Sequence, residues 1–430
     1  MRPTRYPWIA AASVLAACAA IGSLNAARRP RYGGELRIDL RAQVKTLDPQ
    51  ETPQDPLVLA AQRQILPAVF ETLVRLDEHG EPQPWLAESW THDTARKSWI
   101  FTARRNVTLQ DGTLWSPLPA SLVVPDNRPL DQILRDLARP RNAIVVRSAD
   151  GTLVGTGPFR VAKWEPEKSL TLVAHERYWG GRPYLDSIQI QMAKPFSEQA
   201  VDFQAGSADV VEIGLRDLRA PRARGISVFT TAPLETLALQ FENRSVPDAV
   251  REALALSIDR AAIHSVLLQK QGEVSAALLP QWLSGYAFVF PVARNVARAR
   301  QIAPAPAPMN FAYDRQDPVI RAIAERIAVN ASEAGITLRA GGPAALNLTR
   351  LPVTSRDPAT VLEEFAALLK LPAPVSPNLY EAESAMLENF QVIPLFHLPR
   401  GWMMQSRVKD WAARDAPNWA DAWLDAGATP

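Results

Sequence analysis

Gly155-Thr156-Gly157-Pro158-Phe159, then Trp164-Glu165-Pro166, then Tyr178-Trp179-Gly180-Gly181-Arg182-Pro183-Tyr184-Leu185-Asp186, form the stretch whose reading decides the fold. Gly155 and Gly157 flank Thr156 where the chain needs positive φ or close approach of another backbone, and Pro158 biases the residue before it toward an extended conformation. A strand is therefore expected from about Phe159. Phe159, Val161, Leu170, Leu172 and Val173 lie in short apolar stretches on either side of Glu165-Pro166-Glu167-Lys168, the pattern of a hairpin with a polar turn. Tyr178 and Trp179 then stand beside a flexible glycine pair, and Ile188-Gln189-Ile190-Gln191-Met192 alternates as another strand. Most of these aromatic rings are expected to pack a lobe.

Working outward, Gly33-Gly34-Glu35-Leu36-Arg37-Ile38, Leu47-Asp48-Pro49, Val69-Phe70-Glu71-Thr72-Leu73-Val74, Pro84-Trp85-Leu86-Ala87-Glu88-Ser89-Trp90, Trp99-Ile100-Phe101 and Asp111-Gly112-Thr113 precede the hairpin. Ala253-Leu254-Ala255-Leu256-Ser257-Ile258-Asp259-Arg260 and Ile393-Pro394-Leu395-Phe396 follow it. In number and order these segments resemble the extracytoplasmic solute-binding proteins of peptide, opine and nickel ABC transporters (family 5, oligopeptide/dipeptide-binding type). The resemblance implies a two-lobed α/β fold of the periplasmic-binding-protein type II, with a subsidiary domain. It also implies capture of a peptide or similar small polar solute for the permease subunits of an importer, not catalysis.

The N-terminus reads as an export signal. Arg2 and Arg5 form a basic region, Trp8 to Ala17 an apolar one, and Leu15-Ala16-Ala17-Cys18 resembles a bacterial lipobox. Cys18 is the only cysteine; as a lipid-attachment residue it would hold the protein to a membrane and leave no thiol for a disulfide. Cleavage near Ala26 to a free periplasmic form, or an uncleaved anchor over roughly Trp8 to Leu24, are the competing readings, and all three place the rest of the chain outside the cytoplasm. Across 430 residues, 47 Lys and Arg oppose 45 Asp and Glu, without the basic balance a nucleic-acid partner calls for. A monomer is expected.

The domain reading assigns 1–29 to signal and linker, 30–50, 151–236 and 400–430 to a first lobe, 51–150 to a reduced subsidiary domain, and 237–399 to a second lobe. Helices are expected at Leu130–Arg139, Val246–Leu256, Arg260–Gln271 and Ala359–Lys370, with short strands at Ala143–Arg147 and Ile336–Leu338. Phe203 to Ile213 resembles the family's helix-to-strand step, in which Gly206 caps the helix and Val210 to Ile213 is a buried strand. The clearest helix is Asp317–Ala334, with Val319, Ile320, Ile323, Ile327 and Val329 as its apolar face and Gly335 as its stop. Ala303 to Met309, with proline at every second position, reads as a stiff connector. Thr236–Phe241 and Pro394–Pro399 are the expected crossovers between lobes, where a ligand touching both would favour closure.

Two departures from the family pattern bear on the ligand. After Asp111-Gly112-Thr113 the usual helical insert is reduced to Ser116–Pro129. Aligned on Asp357-Pro358, Thr354 stands where the resemblance implies an aspartate that pairs with a peptide α-amine, and a hydroxyl forms no such charge-assisted bond. Arg350 and Arg356 nearby would suit an anionic group, or else be plain surface. Position on crossovers and lobe edges selects Arg37, Asp39, Tyr178, Trp179, Gln240, Asn243, Arg350, Thr354, Arg356, His397, Arg400 and Trp402 as ligand-binding candidates. His79, His92, His175, His264 and His397 show no metal-ligand spacing, and no nucleophile elbow, phosphate loop or zinc-protease motif is present, so neither metal, cofactor nor catalytic residue is expected. The rival reading is a sensory or scaffold lipoprotein with a degenerate solute-binding fold.

Overall fold

The structure, a computed structural model, describes residues 29–115, 121–148, 151–242, 245–304, 306–411, 417 and 419–425. The signal with Cys18, the candidate Asn243, residue 305 of the proline connector, 116–120 of the reduced insert and several positions beyond 411 lie outside them.

Eleven strands form the main sheet: β1 (Glu35–Asp39), β2 (Phe159–Glu165), β3 (Ser169–Ala174), β4 (Ser187–Gln191), β5 (Val210–Ile213), β6 (Ser227–Phe241), β7 (Glu273–Val274), β8 (Met309–Ala312), β9 (Leu338–Arg339), β10 (Leu346–Pro352) and β11 (Val392–Met404). Their order is β9-β8-β10-β6-β11-β5-β1-β4-β3-β2, with β7 also paired to β11. β6 and β11 are antiparallel and long enough to belong to both ends of this sheet. Ser227–Thr230 pairs with Gly401–Met404 beside the first-lobe strands, whereas Thr236–Gln240 pairs with Val392–His397 beside the second-lobe strands.

Between those two blocks the ladder breaks. The register shifts between Thr230 and Pro233 and again between Pro233 and Glu235, and Pro233 lies opposite Pro399. Neither residue has an N–H to give the ladder, so the facing prolines interrupt pairing where the chain passes from one lobe to the other. The expected crossovers at Thr236–Phe241 and Pro394–Pro399 are thus mostly second-lobe strand, and the switch lies a few residues to one side.

Strand alternation divides the second lobe into two layers. Leu237, Leu239 and Phe241 face a core with Ile320, Ile323, Ile327, Leu348 and Phe396, while Ala238 faces Leu351, Val361, Phe365 and Val392. The helix Pro318–Glu333 is capped by Asp317, whose carboxylate accepts from Val319 and Ile320 N–H at 2.9 and 3.2 Å. Val329, expected on its apolar face, is 48% exposed; the helical period carries the buried stripe to Asn330 and Ala331 instead. The expected helix from Arg260 shortens to Arg260–Ala262, and a wider π turn, Ile263–Leu267, follows. The expected strand at Ala143–Arg147 is reduced to Val146–Arg147.

The first-lobe core gathers Leu36, Ile38, Phe159, Leu170, Leu172, Ile188, Ile190 and Trp402, and the helix Pro56–Val69 joins it through Ala61, Ile65 and Val69. Leu73, Val74, Leu86, Phe101, Val107, Ile133 and Leu134 form a core of their own. The segment 51–150 therefore splits by packing, with its first helix on the first lobe.

The decisive glycines act through close approach, not positive φ. A Cβ on Gly155 would come within 2.1 Å of the Val69 carbonyl oxygen, and one on Gly157 within 2.6 Å of the Val69 carbonyl carbon. Gly157 N–H donates to that carbonyl at 3.0 Å. Gln110 locks the junction, its amide donating to the Val69 and Phe159 carbonyls at 2.7 and 2.6 Å. Gly157→Ala must push the hairpin off the helix end and is expected to lower stability by about 2 to 3 kcal/mol; urea unfolding checks this, and an unchanged midpoint would show the junction to be slack.

Candidate functional site

Charged groups from both lobes converge beside the proline break. Glu235 follows Pro233 by two residues on β6 and is nearly buried. It accepts from Arg400 Nε at 2.8 Å and has Arg350 Nε at 3.5 Å. Arg350 reaches Asp317 at 3.1 Å with Nη2. From the first lobe, Arg41 just beyond β1 lies 3.6 Å from Asp314 and 3.7 Å from Asp317. Its backbone N–H donates to Glu212 of β5 at 2.6 Å, and its guanidinium stacks 4.3 Å above the Phe196 ring. First lobe, crossover strands and second lobe thus share one ionic network.

Burial pushes the Glu235 carboxyl up, but Arg350, Arg400 and Arg41 outweigh it and hold the group below its ordinary value. Removing Glu235 would leave two arginines without their shared anion, the costly way to break a buried pair.

A second set of contacts closes the seam further out. Arg63, on the first-lobe helix, donates to Glu364 of the second-lobe helix Pro358–Leu369 at 3.2 Å, and Thr354 donates to the other oxygen of that carboxylate. Arg139 grips Glu363 with Nη1 at 2.5 Å and Nη2 at 3.1 Å. Arg135 lies 3.7 Å from Asp357. Arg356 donates to the Glu78 carbonyl and stands 5.8 Å from the Trp282 ring centre. Trp282 in turn donates to the Pro233 carbonyl at 2.9 Å, beside the break.

Of the expected ligand contacts, Arg350, Thr354, Arg356 and Arg400 are brought to this seam. The others, apart from Asn243, which lies outside the described residues, are placed inside the lobes. Tyr178 and Trp179 donate to Glu71 at 2.7 and 2.9 Å, joined by Trp85 at 2.9 Å, so these rings solvate one buried carboxylate. Gln240 donates to the Leu369 carbonyl at 3.0 Å, tying a helix end to β6. Trp402 packs edge-on against Trp411 at 5.3 Å in the first-lobe core. Arg37 is bound to Asp209 through Nε at 3.0 Å and Nη2 at 3.1 Å. Asp39 is buried beside Lys194 at 3.4 Å, and burial lifts its pKa to about 6 against the pull of that lysine.

His397 is fully buried, with Nε2 on the Ala277 carbonyl at 2.9 Å and Nδ1 without a partner among the described residues. No group of three or more His, Cys, Asp or Glu side chains among the described residues is arranged to hold a metal ion.

Sequence reasoning missed Arg41, Arg63, Glu212, Glu235, Asp314, Asp317 and Glu364. Glu235 carried a signal, a charge inside the apolar run Leu234-Glu235-Thr236-Leu237. Two surface cavities lie away from the seam. One of about 420 Å³ is lined by Gln110, Arg160, His175 and Arg182, and one of about 600 Å³ by Arg251, Leu371, Val375 and Met386.

Burial lowers the His397 pKa from 6.5 to about 4. As pH falls below 6.5 the unfolded chain takes up a proton that the folded chain refuses, so stability present above 6.5 is lost progressively toward pH 4. Full loss amounts to roughly 3 kcal/mol. His397→Gln keeps a donor for Ala277 and should flatten this part of the profile in urea titrations at pH 7, 5.5 and 4.5; equal slopes in both proteins would assign the loss to other groups.

Residues 137–340 match the model of the bacterial extracellular solute-binding proteins, family 5 middle. The chain is 26% identical over 246 residues to the nickel-binding periplasmic protein of Escherichia coli K12, covering 45% of this chain and 47% of that protein. It is 26% identical over 126 residues to the oligopeptide-binding protein AppA of Bacillus subtilis 168, covering 28% and 23%. The chain thus spans about half or less of these curated relatives. In structure it resembles B. subtilis AppA in complex with a nonapeptide, with a TM-score of 0.77 and 15% identity over 92% of this chain and 100% of that one. It also resembles Staphylococcus aureus NikA in complex with Ni(L-His)2, with a TM-score of 0.75 and 16% identity over 91% and 98%.

Proposed function

We propose that this chain, similar over residues 137–340 to the family 5 bacterial extracellular solute-binding proteins and alike in fold to their solved members, captures a peptide or similar small polar solute between its lobes. It then presents the closed form to the permease subunits of an ABC importer. The observation that carries this reading is the paired-proline break at Pro233 and Pro399, with charged groups of both lobes directly beside it. A solute that contacts both lobes there shifts the open–closed balance by its differential affinity for the two states. The interlobe ion pairs Arg41–Asp317 and Arg63–Glu364 are largely buried, so the cost of taking both charges out of water offsets their attraction and they do not by themselves secure closure. No catalytic role is assigned to any residue.

Native mass spectrometry of the protein purified without refolding tests the capture step. A bound mass that is released on denaturation is the expected result. A clean unliganded mass that no pool of peptides, sugars or metal chelates shifts would favour a sensor or scaffold instead.

The anchor is proposed from sequence alone. Leu15-Ala16-Ala17-Cys18 would direct lipidation of Cys18, so cells fed an alkynyl palmitate should label the wild-type protein and not Cys18→Ser. An unlabelled wild type would mean ordinary secretion or an uncleaved segment. Among the described residues no helix is long and apolar enough to cross a membrane.

A further inference from the structure

Arg63 is a buried cation at the lobe seam with most of its donors unused. Its side chain is only 7% exposed. Among the described residues its side chain makes one hydrogen bond, the 3.2 Å contact from Nη2 to Glu364, and Nε and Nη1 have no hydrogen-bond partner. Glu364 is itself shared, because its second oxygen accepts from Thr354. A guanidinium offers five N–H donors, and leaving a buried one so incompletely paired is unfavourable unless something else supplies acceptors.

The surroundings repeat the pattern. The first-lobe helix that carries Arg63 packs against β10, which carries Arg350, and Arg350 Nε, 3.5 Å from Glu235, makes no hydrogen bond among the described residues. Arg139, which holds Glu363 beside Glu364, has its Nε 3.6 Å from Asp136 without a hydrogen bond among the described residues. Arginines thus gather on both sides of the seam, and Arg63 is the one whose Nε and Nη1 face neither a hydrogen-bond acceptor nor a carboxylate among the described residues. Thr354, four residues beyond Arg350, has its hydroxyl spent on Glu364.

We infer that the solute is anionic, that Arg63 is a specificity-determining contact for its carboxylate or equivalent oxygens, and that Glu364 occupies part of that position when the site is empty. The inference rests on the solute-capture reading and names the charge class of what is captured. Acceptor oxygens brought by the ligand complete the Arg63 shell, and because Arg63 comes from the first lobe and Glu364 from the second, the ligand displaces one interlobe tie and replaces it with its own.

Titration calorimetry with four probes tests this: tricarballylate and the tripeptide Ala-Glu-Glu as acids, Ala-Gln-Gln and Ala-Lys-Lys as neutral and basic counterparts. The acids are expected to bind in preference to the other two. Arg63→Gln should weaken them by about tenfold or more, the loss of a charge-assisted bond, with Arg63→Lys falling between. Glu364→Gln removes the internal competitor and should strengthen acid binding, an opposite effect that misfolding cannot imitate. Equal or tighter binding of the neutral or basic tripeptide overturns the inference and leaves solute capture standing, as does an unchanged acid affinity in a folded Arg63→Gln. If no probe binds, the charge of any co-purified mass decides: an anionic mass that Arg63→Gln loses supports it, a neutral or cationic one overturns it, and no mass at all sinks solute capture with it.

Discussion

Everything in this molecule depends on two antiparallel strands that each serve both lobes, and on the fact that Pro233 meets Pro399 where they cross from one lobe to the other. A regular ladder of this length would splint the lobes into one rigid sheet. Two facing residues without N–H groups remove donors from both sides at one point, so the backbone there is connected covalently but weakly paired. Most of the first-lobe strands pack in a core of their own, while Phe203, Val211, Ile213 and Met403 join the core that Leu237, Leu239 and Ile323 form in the second lobe, so rotation about the break has to shift that shared layer.

The chemistry beside the break follows from this placement. Glu235 and Arg400 lie next to the prolines on the two strands themselves, while Arg41 and Glu212 come from the first lobe and Arg350, Asp314 and Asp317 from the second. Any rotation changes the distances in this network, so closure and electrostatics are coupled by geometry. Asp317 shows how closely the two are joined: one oxygen caps the helix Pro318–Glu333 and the other faces Arg350. The fold positions the charge, and the charge helps fix the end of the helix.

The hairpin Phe159–Ala174 was readable because its causes are local: alternating apolar residues, a polar turn and a proline after the glycines. The helix Pro318–Glu333 was readable for the same reason, through Asp317 at its start and Gly335 at its end. Val329 was misplaced because a single apolar residue within a helical window does not say which side of the stripe it falls on. Tyr178 and Trp179 were singled out for a ligand, yet their polar edges turn inward to Glu71, some hundred positions earlier in the chain. Nothing local to the aromatic pair announces that partner.

Sequence alone determined the family resemblance, the two-lobed α/β class and the rough location of the crossovers, since strand alternation, helix capping and proline geometry are properties of neighbouring residues. Tertiary structure alone decided which charges face one another. Arg63 and Glu364 are separated by three hundred residues and meet only because a first-lobe helix packs across the seam from a second-lobe helix. His397 and Trp402, on the same strand as Arg400, went to lobe cores while Arg400 went to the hinge, because alternation and the register breaks turn successive side chains to different faces. Side-chain direction at a lobe boundary is set by long-range packing, and pairing across that boundary has no short-range signature to read.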